Sequence, residues 1–293
     1  ITPCKPIDIK CSVLNSEEIH RVIQQQSKEK NQSVDKVKEE AAKILDEMSA
    51  KLSPGMIRLC GWVLRKLFNR FFWKIQVHKE QLEMLKAATE THLPLVYLPC
   101  HRSHIDYLLL TFILYHHNLK PPHIASGMDN LNFPMMGTLL RKTGAFFIRR
   151  RFDETPDGGK DKLYRAILHE YVKELLRKGY APIEFFLEGT RSRTGKTLTP
   201  KFGLLSVVVE ALQHGEVPDI YLVPVSISYD RIIEGTHYAH ELLGAPKKKE
   251  SLWGVLRGIF KMLSKNYQCG YVHVHFGEPI SLREYLETHT PDW

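Results

Sequence analysis

The segment His101-Arg102-Ser103-His104-Ile105-Asp106 follows directly on the apolar run Leu95-Val96-Tyr97-Leu98-Pro99. It sets a histidine and a carboxylate five residues apart at what reads as a strand-to-helix junction. Histidine is the side chain best suited to take a proton near neutral pH. A carboxylate beside it fixes the imidazole tautomer and stabilises the imidazolium that forms. No G-x-S-x-G elbow accompanies the pair. The expected chemistry is therefore a base, His101, oriented by Asp106 and activating a hydroxyl that belongs to a substrate. An H-x4-D spacing is common by chance, so its meaning depends on what surrounds it.

Three further segments combine a strand-like run with polar groups, as ligand sites at the carboxyl ends of α/β strands do. Gly144-Ala145-Phe146-Phe147-Ile148 runs into Arg149, Arg150 and Arg151. Arginine forks bind phosphate oxygens in pairs; Arg149 comes first after the strand and is the candidate, while Arg150 and Arg151 read as a solvated cluster. Ile183-Glu184-Phe185-Phe186-Leu187 runs into Glu188, Gly189, Thr190, Arg191, Ser192 and Arg193. There Glu188 orients arginines or a substrate hydroxyl, Gly189 admits close backbone approach, and Arg191 and Arg193 neutralise a phosphate. This segment imitates a phosphate-binding P-loop, but five residues separate Gly189 from Gly195 where that loop needs four. In Tyr221-Leu222-Val223-Pro224-Val225-Ser226-Ile227-Ser228 a proline interrupts an apolar strand. It marks an edge or a local irregularity, or one wall of a groove.

The chain has 293 residues, 43% of them hydrophobic, and a net charge of +8. A sizeable core is possible, and the charge favours an anionic partner: a phosphorylated substrate, a nucleic acid or a membrane surface. Its five cysteines form no C-x-x-C pair, so neither a zinc ribbon nor a disulfide framework is indicated. Reduced thiols in an intracellular setting are the simplest reading. His101, His104 and Asp106 form one potential ligand cluster and His273 with His275 another, but no third group at metal-site spacing completes either. No catalytic metal is expected. No signal peptide is seen, and no run of eighteen apolar residues would make a spanning helix.

The elements that must position these groups follow from periodicity. Residues 1–88 read as an N-terminal helical region, with polar helices between Ser16 and Leu52. A basic amphipathic helix over 56–76 has Ile57, Cys60, Leu64, Leu67, Phe68, Phe71 and Phe72 on one face and Lys66, Arg70 and Lys74 on another. Trp62 and Trp73 flank it, a composition suited either to a bilayer interface or to packing on the protein. Residues 89–293 alternate short strands with helices. That is the pattern of an α/β domain with a mixed, largely parallel sheet covered by helices. A second basic amphipathic stretch, 251–265, either faces anionic lipid or covers the sheet. The basic, aromatic stretch 62–74 reads better as an interfacial helix than as a nucleic-acid surface, and no nucleic-acid partner is expected.

Taken in order, H-x4-D, G-A-F-F-I-R-R, F-L-E-G-T-R-S-R and V-P-V-S resemble the glycerolipid acyltransferase family, and the likeness covers nearly the whole chain. It is closest to the branch of peroxisomal dihydroxyacetone-phosphate acyltransferases and mitochondrial glycerol-3-phosphate acyltransferases. Tyr180 to Phe186, Thr197 to Gly203, Gly127-Met128-Asp129, Ser16 to Ile19 and Ile44 to Met48 are similar to the dihydroxyacetone-phosphate enzymes. Arg151 to Gly158 and Lys248 to Trp253 are similar to the glycerol-3-phosphate enzymes.

The resemblance implies transfer of a long-chain acyl group from acyl-CoA to dihydroxyacetone phosphate, with glycerol 3-phosphate the alternative acceptor. His101 would be the base and Asp106 its orienter. Arg149, Arg191 and Arg193 would hold the phosphate, with Glu188, Gly189 and Thr190 shaping the pocket, Lys201 as an extra contact and Pro224 lining it. It implies no cofactor beyond the co-substrate acyl-CoA. It places the protein peripherally on a membrane, the matrix side of the peroxisome or alternatively the mitochondrial outer membrane. No covalent acyl-enzyme is needed; Cys100, beside His101, is the residue that would challenge this, and reads as a small buried side chain. A lipid-binding module that kept the fold without the chemistry is the non-enzyme alternative, and the intact His/Asp pair and E-G-T-R segment count against it.

Overall fold

The structure, a computed structural model, describes residues 6–128, 134–149, 161–179, 181–243 and 268–290. Arg150, Arg151, Asp129, Tyr180, the 152–158 segment and the expected helix at 251–265 lie outside the described residues.

The helices are α1 (Pro6–Leu14), α2 (Glu17–Lys30), α3 (Val34–Met48), α4 (Pro54–Phe71), α5 (Lys79–Glu90), α6 (Asp106–His116), α7 (Pro134–Lys142), α8 (Lys162–Lys178), α9 (Gly203–Gln213), α10 (Gly235–Leu242) and α11 (Leu282–His289). The strands are β1 (Lys74–Val77), β2 (Leu95–Pro99), β3 (His123–Gly127), β4 (Ala145–Ile148), β5 (Ile183–Glu184), β6 (Tyr221–Tyr229), β7 (Tyr271–Phe276) and β8 (Ile280–Ser281). They form one sheet in the order β1-β7-β6-β2-β5-β3-β4, with β8 beside β6. The run from β6 to β4 is parallel and so is β1 with β7, while β6 meets β7 and β8 antiparallel. The sheet is thus mixed and largely parallel, as the alternating pattern indicated.

Alternation along the strands divides two apolar layers. Val96, Phe146, Ile183 and Phe185 pack on one face against α8, α9 and the N-terminal helices. Leu95, Tyr97, Val223, Val225, Ile227, Val272 and Val274 pack on the other against α4, α5 and α6. Ile19, Ile23, Val37, Ala41, Leu45 and Met48 belong to the first layer, so α2 and α3 share a core with the sheet. Ser16 and Ser33 cap these helices, accepting from Ile19 N and Lys36 N.

One expectation is revised, and of the two readings of the amphipathic helix the packed one holds for its broad face. The amphipathic helix ends at Phe71 rather than 76, and 74–77 is the edge strand β1 inside the segment read as wholly helical. Its broad apolar face is also turned inward: Phe68, Phe71 and Phe72 are buried, with Leu64 and Leu67 packed beside them. What α4 leaves exposed is a smaller patch, Leu59, Trp62 and Val63, among Arg58, Arg65, Lys66 and Arg70. Among the described residues no helix is long and apolar enough to cross a membrane.

Pro224 lies inside β6, not in an edge strand. Its carbonyl accepts from Gly277 N on the side where β6's partner changes from β8, opposite Leu222, to β7, opposite Val225. A residue's N–H and C=O lie on the same side of a strand, so the missing proline N–H falls at that change and removes no ladder bond.

Candidate active site

The parallel strands β2, β5, β3 and β4 end on one edge, where the chain carries His101 beyond β2, Glu188 beyond β5 and Arg149 beyond β4. At the end of β2, Cys100 N donates to Val225 O of β6, which carries the pairing one residue beyond the strand. The next residues turn into α6, whose first residue is Asp106. An anion in the first turn of a helix is favoured by the helix dipole.

Asp106 is fully buried and collects four donors. Its Oδ2 accepts from His101 Nδ1 at 2.9 Å, Arg102 N at 2.6 Å and Ser103 N at 2.8 Å. Its Oδ1 accepts from Tyr229 Oη at 2.6 Å. The carboxylate thus both folds the 101–105 turn and holds the imidazole. With Nδ1 donating to Asp106, Nε2 is the nitrogen left as proton acceptor, and it makes no hydrogen bond to a described residue. The His101 ring lies on Phe186, centroids 3.9 Å apart and planes 24° apart. Burial lowers the His101 pKa below the ordinary histidine value, Asp106 opposes this, and Arg191 and His104 add to the lowering. The imidazole is therefore neutral, and able to accept a proton, near pH 7.

The 183–203 segment wraps this turn. Glu188 is buried; its Oε1 accepts from His101 N at 2.9 Å and its Oε2 from Leu198 N at 3.0 Å, with Arg102 at 3.8 Å. It ties two loops together through their backbones and faces Arg102 rather than Arg191. Ser192 N donates to His101 O at 2.8 Å, and the Ser192 hydroxyl is engaged by Lys196 O. Gly189 takes φ +62°, and its open side is covered by the Lys201 side chain, which would lie 2.8 Å from an added Cβ. The positive φ is what favours glycine here, since the Lys201 side chain can shift aside. Thr190 is exposed in the same turn.

Arg191 Nη1 donates to Tyr238 Oη at 2.7 Å and lies 3.9 Å from Glu234 Oε1. Glu234 also accepts from Ser103 Oγ and His104 N, each at 2.8 Å. Arg191 and Arg193 each sit 5.9 Å from the Tyr238 ring centroid. The residues that follow β6 thus clamp the arginine loop onto the histidine turn. His104 is pushed down to about 4, by burial first and then by Arg191, so it stays neutral beside these cations.

The structure therefore brings His101, Asp106, Glu188, Arg191 and Arg193 together. Arg149 is apart: β4 is three strands from β2, roughly 14 Å at ordinary strand spacing. Its guanidinium is held by Asp161 at 2.6 Å and lies 4.1 Å from the Tyr164 ring centroid. Pro224 pairs with Leu98, three residues before His101, on an exposed part of the sheet. The Cys100 thiol is fixed between Ile227 O and Ile227 N, and burial raises its pKa. Neither feature suits a nucleophile.

Four residues escape the motif reading. Tyr229 ends the V-P-V-S strand, where the polar run Ser228-Tyr229-Asp230-Arg231 was its signal, and Glu234 and Tyr238 lie a few residues further on. Glu184 lies between Tyr97 and Ile124 in register, fully buried, with no hydrogen-bond partner at either oxygen among the described residues. Burial, reinforced by Asp106, raises its pKa well above the ordinary carboxylate value.

With a His–Asp pair at the end of one strand and an E-G-T-R-S-R loop folded over it, the chain belongs to the acyltransferase family, which it matches over residues 74–228. Residues 238–293 match the glycerol-3-phosphate acyltransferase C-terminal region. The chain is 66% identical over 264 residues to mouse mitochondrial glycerol-3-phosphate acyltransferase 1, covering 90% of this chain and 31% of the relative. It is 60% identical to the human counterpart, covering 94% and 34%. It is 58% identical over 283 residues to human dihydroxyacetone phosphate acyltransferase, covering 97% and 40%. The chain thus spans about a third of the length of these relatives.

Proposed function

We propose that this protein transfers a long-chain acyl group from acyl-CoA to the hydroxyl of a phosphorylated three-carbon acceptor in glycerolipid synthesis. The observation that carries this reading is His101, with Nδ1 held by buried Asp106 and Nε2 left to accept a proton, beside two arginines. The acceptor hydroxyl gives its proton to Nε2, and its oxygen attacks the thioester carbonyl. The tetrahedral adduct collapses, the C–S bond breaks, and the CoA thiolate takes the proton back from the imidazolium. Asp106 stabilises that cation. Arg191 and Arg193 hold the acceptor phosphate, with Lys201 and the Thr190 hydroxyl in the same loop at its edge and Arg149, held by Asp161, further along the sheet edge. Glu188 and Gly189 keep the loop shaped, and Pro224 acts through the course of β6. No cofactor is required.

Dihydroxyacetone phosphate is the acceptor that the 180–203 segment favours. Glycerol 3-phosphate is the second reading, favoured by the somewhat higher identity to the mitochondrial enzymes. The exposed Leu59-Trp62-Val63 patch among basic residues supports a peripheral seat on an anionic membrane, peroxisomal in the first reading and mitochondrial in the second. The test is CoA release from palmitoyl-CoA with each acceptor offered separately. A higher kcat/KM for dihydroxyacetone phosphate supports the first reading, a higher value for glycerol 3-phosphate supports the second, and release with neither overturns both.

A further inference from the structure

We propose that Tyr229 is a positioning residue of the reaction, setting both the orientation of Asp106 and the proton affinity of His101. This rests on the acyl-transfer reading of the site. Asp106 divides its partners between two oxygens. Oδ2 serves His101 and the two backbone N–H groups of the turn. Oδ1 serves Tyr229, at 2.6 Å. A carboxylate bonded at one oxygen alone rotates about its Cβ–Cγ bond at little cost. The Tyr229 hydroxyl, arriving from the end of β6, the parallel neighbour of β2, holds its plane and so holds the imidazole aimed at the acceptor.

The tyrosine is itself well fixed. It ends β6, paired with Val272 of β7, and its ring lies 6.2 Å from that of Phe72, the buried residue that caps α4. Burial, Asp106 and Glu234 all keep the phenol protonated, so it remains a donor throughout the working pH range.

The second effect is electronic. A short hydrogen bond at Oδ1 withdraws charge from Oδ2 and makes the carboxylate a weaker partner for imidazolium. Removing it concentrates charge toward Nδ1 and raises the proton affinity of His101. The groups facing the imidazole are Asp106, Arg191 and His104. Those facing Tyr229 are Asp106, Glu234 and Cys100, and Glu184 faces Asp106 from β5. All of these remain when only the hydroxyl is deleted.

The experiment compares wild type, Y229F and H101N. Two readouts are taken: kcat/KM against pH with palmitoyl-CoA and acceptor, and the His101 titration by NMR on protein labelled at histidine nitrogens, with H101N assigning the resonance. In Y229F, kcat/KM is expected about tenfold lower. Its acid limb and the His101 titration should both move upward by about half a unit or more, with the acceptor KM unchanged. A His101 titration unmoved in Y229F overturns the inference, even if melting temperature falls, because that is the mark of a purely structural tyrosine. A moved titration together with full activity in H101N supports Tyr229's hold on the pair and overturns the acyl-transfer reading instead.

Discussion

Replacing Asp106 by asparagine separates the two roles of this buried carboxylate. The side chain is wholly buried and accepts from His101, Arg102 N, Ser103 N and Tyr229. Two fixed backbone donors face Oδ2, so the asparagine oxygen is held there and its NH2 group turns toward Tyr229, whose hydroxyl rotates to accept. The turn keeps its hydrogen bonds and His101 keeps its tautomer. What is lost is the negative charge beside the imidazolium formed in the reaction. For charges about 4 Å apart at an effective dielectric near 20, that interaction is worth about 4 kcal/mol, or roughly a thousandfold in rate.

D106N is therefore expected to lower kcat about a thousandfold with only a small drop in melting temperature. D106A, which orphans buried donors, should lose about 3–5 kcal/mol of stability as well. The sign of the pH effect also follows. Asp106 raises the proton affinity of His101 against burial, so in D106N the acid limb of kcat/KM moves to lower pH. Steady-state CoA release and thermal melts check both quantities. D106N activity within tenfold of wild type would refute the base assignment.

Other outcomes are expected at neighbouring residues. R191A should raise the acceptor KM about 10- to 100-fold, the worth of a charged phosphate contact, with kcat nearly kept; an unchanged KM removes Arg191 from phosphate binding. C100A should keep kcat/KM within about threefold, and loss of activity in a folded C100A protein would put the thiol into the chemistry. W62E in α4 should weaken binding to vesicles containing anionic lipid by about tenfold or more, measured by co-sedimentation; undiminished binding would place the membrane contact elsewhere.

Much of this arrangement was legible in the sequence because strand-to-loop transitions carry their own signature. Apolar runs ending in His101, Arg149 and Glu188 marked the edge of a largely parallel sheet, and the H-x4-D spacing brought His101 and Asp106 together through one tight turn. Which long side chains meet a substrate was less legible, because that depends on neighbours distant in sequence. Arg149 is occupied by Asp161 and Tyr164, and Glu188 by backbone donors from 101 and 198. Tyr229 and Glu234 reach the site from 123 and 131 residues beyond their partners Asp106 and Ser103, contacts that no local periodicity encodes. The α4 helix shows the same limit. Periodicity located its apolar face, but only packing against α6 and β6–β7 shows that this face is interior and that a smaller patch is left outside.

The central claim, direct attack by an acceptor hydroxyl activated by His101, is tested most directly by following CoA release from palmitoyl-CoA in the first turnover, with and without acceptor, in wild type and H101A. Release that requires acceptor, shows no burst, and falls by at least about a thousandfold in H101A is expected. A stoichiometric burst of CoA without acceptor, or an H101A protein that still turns over near the wild-type rate, would contradict it.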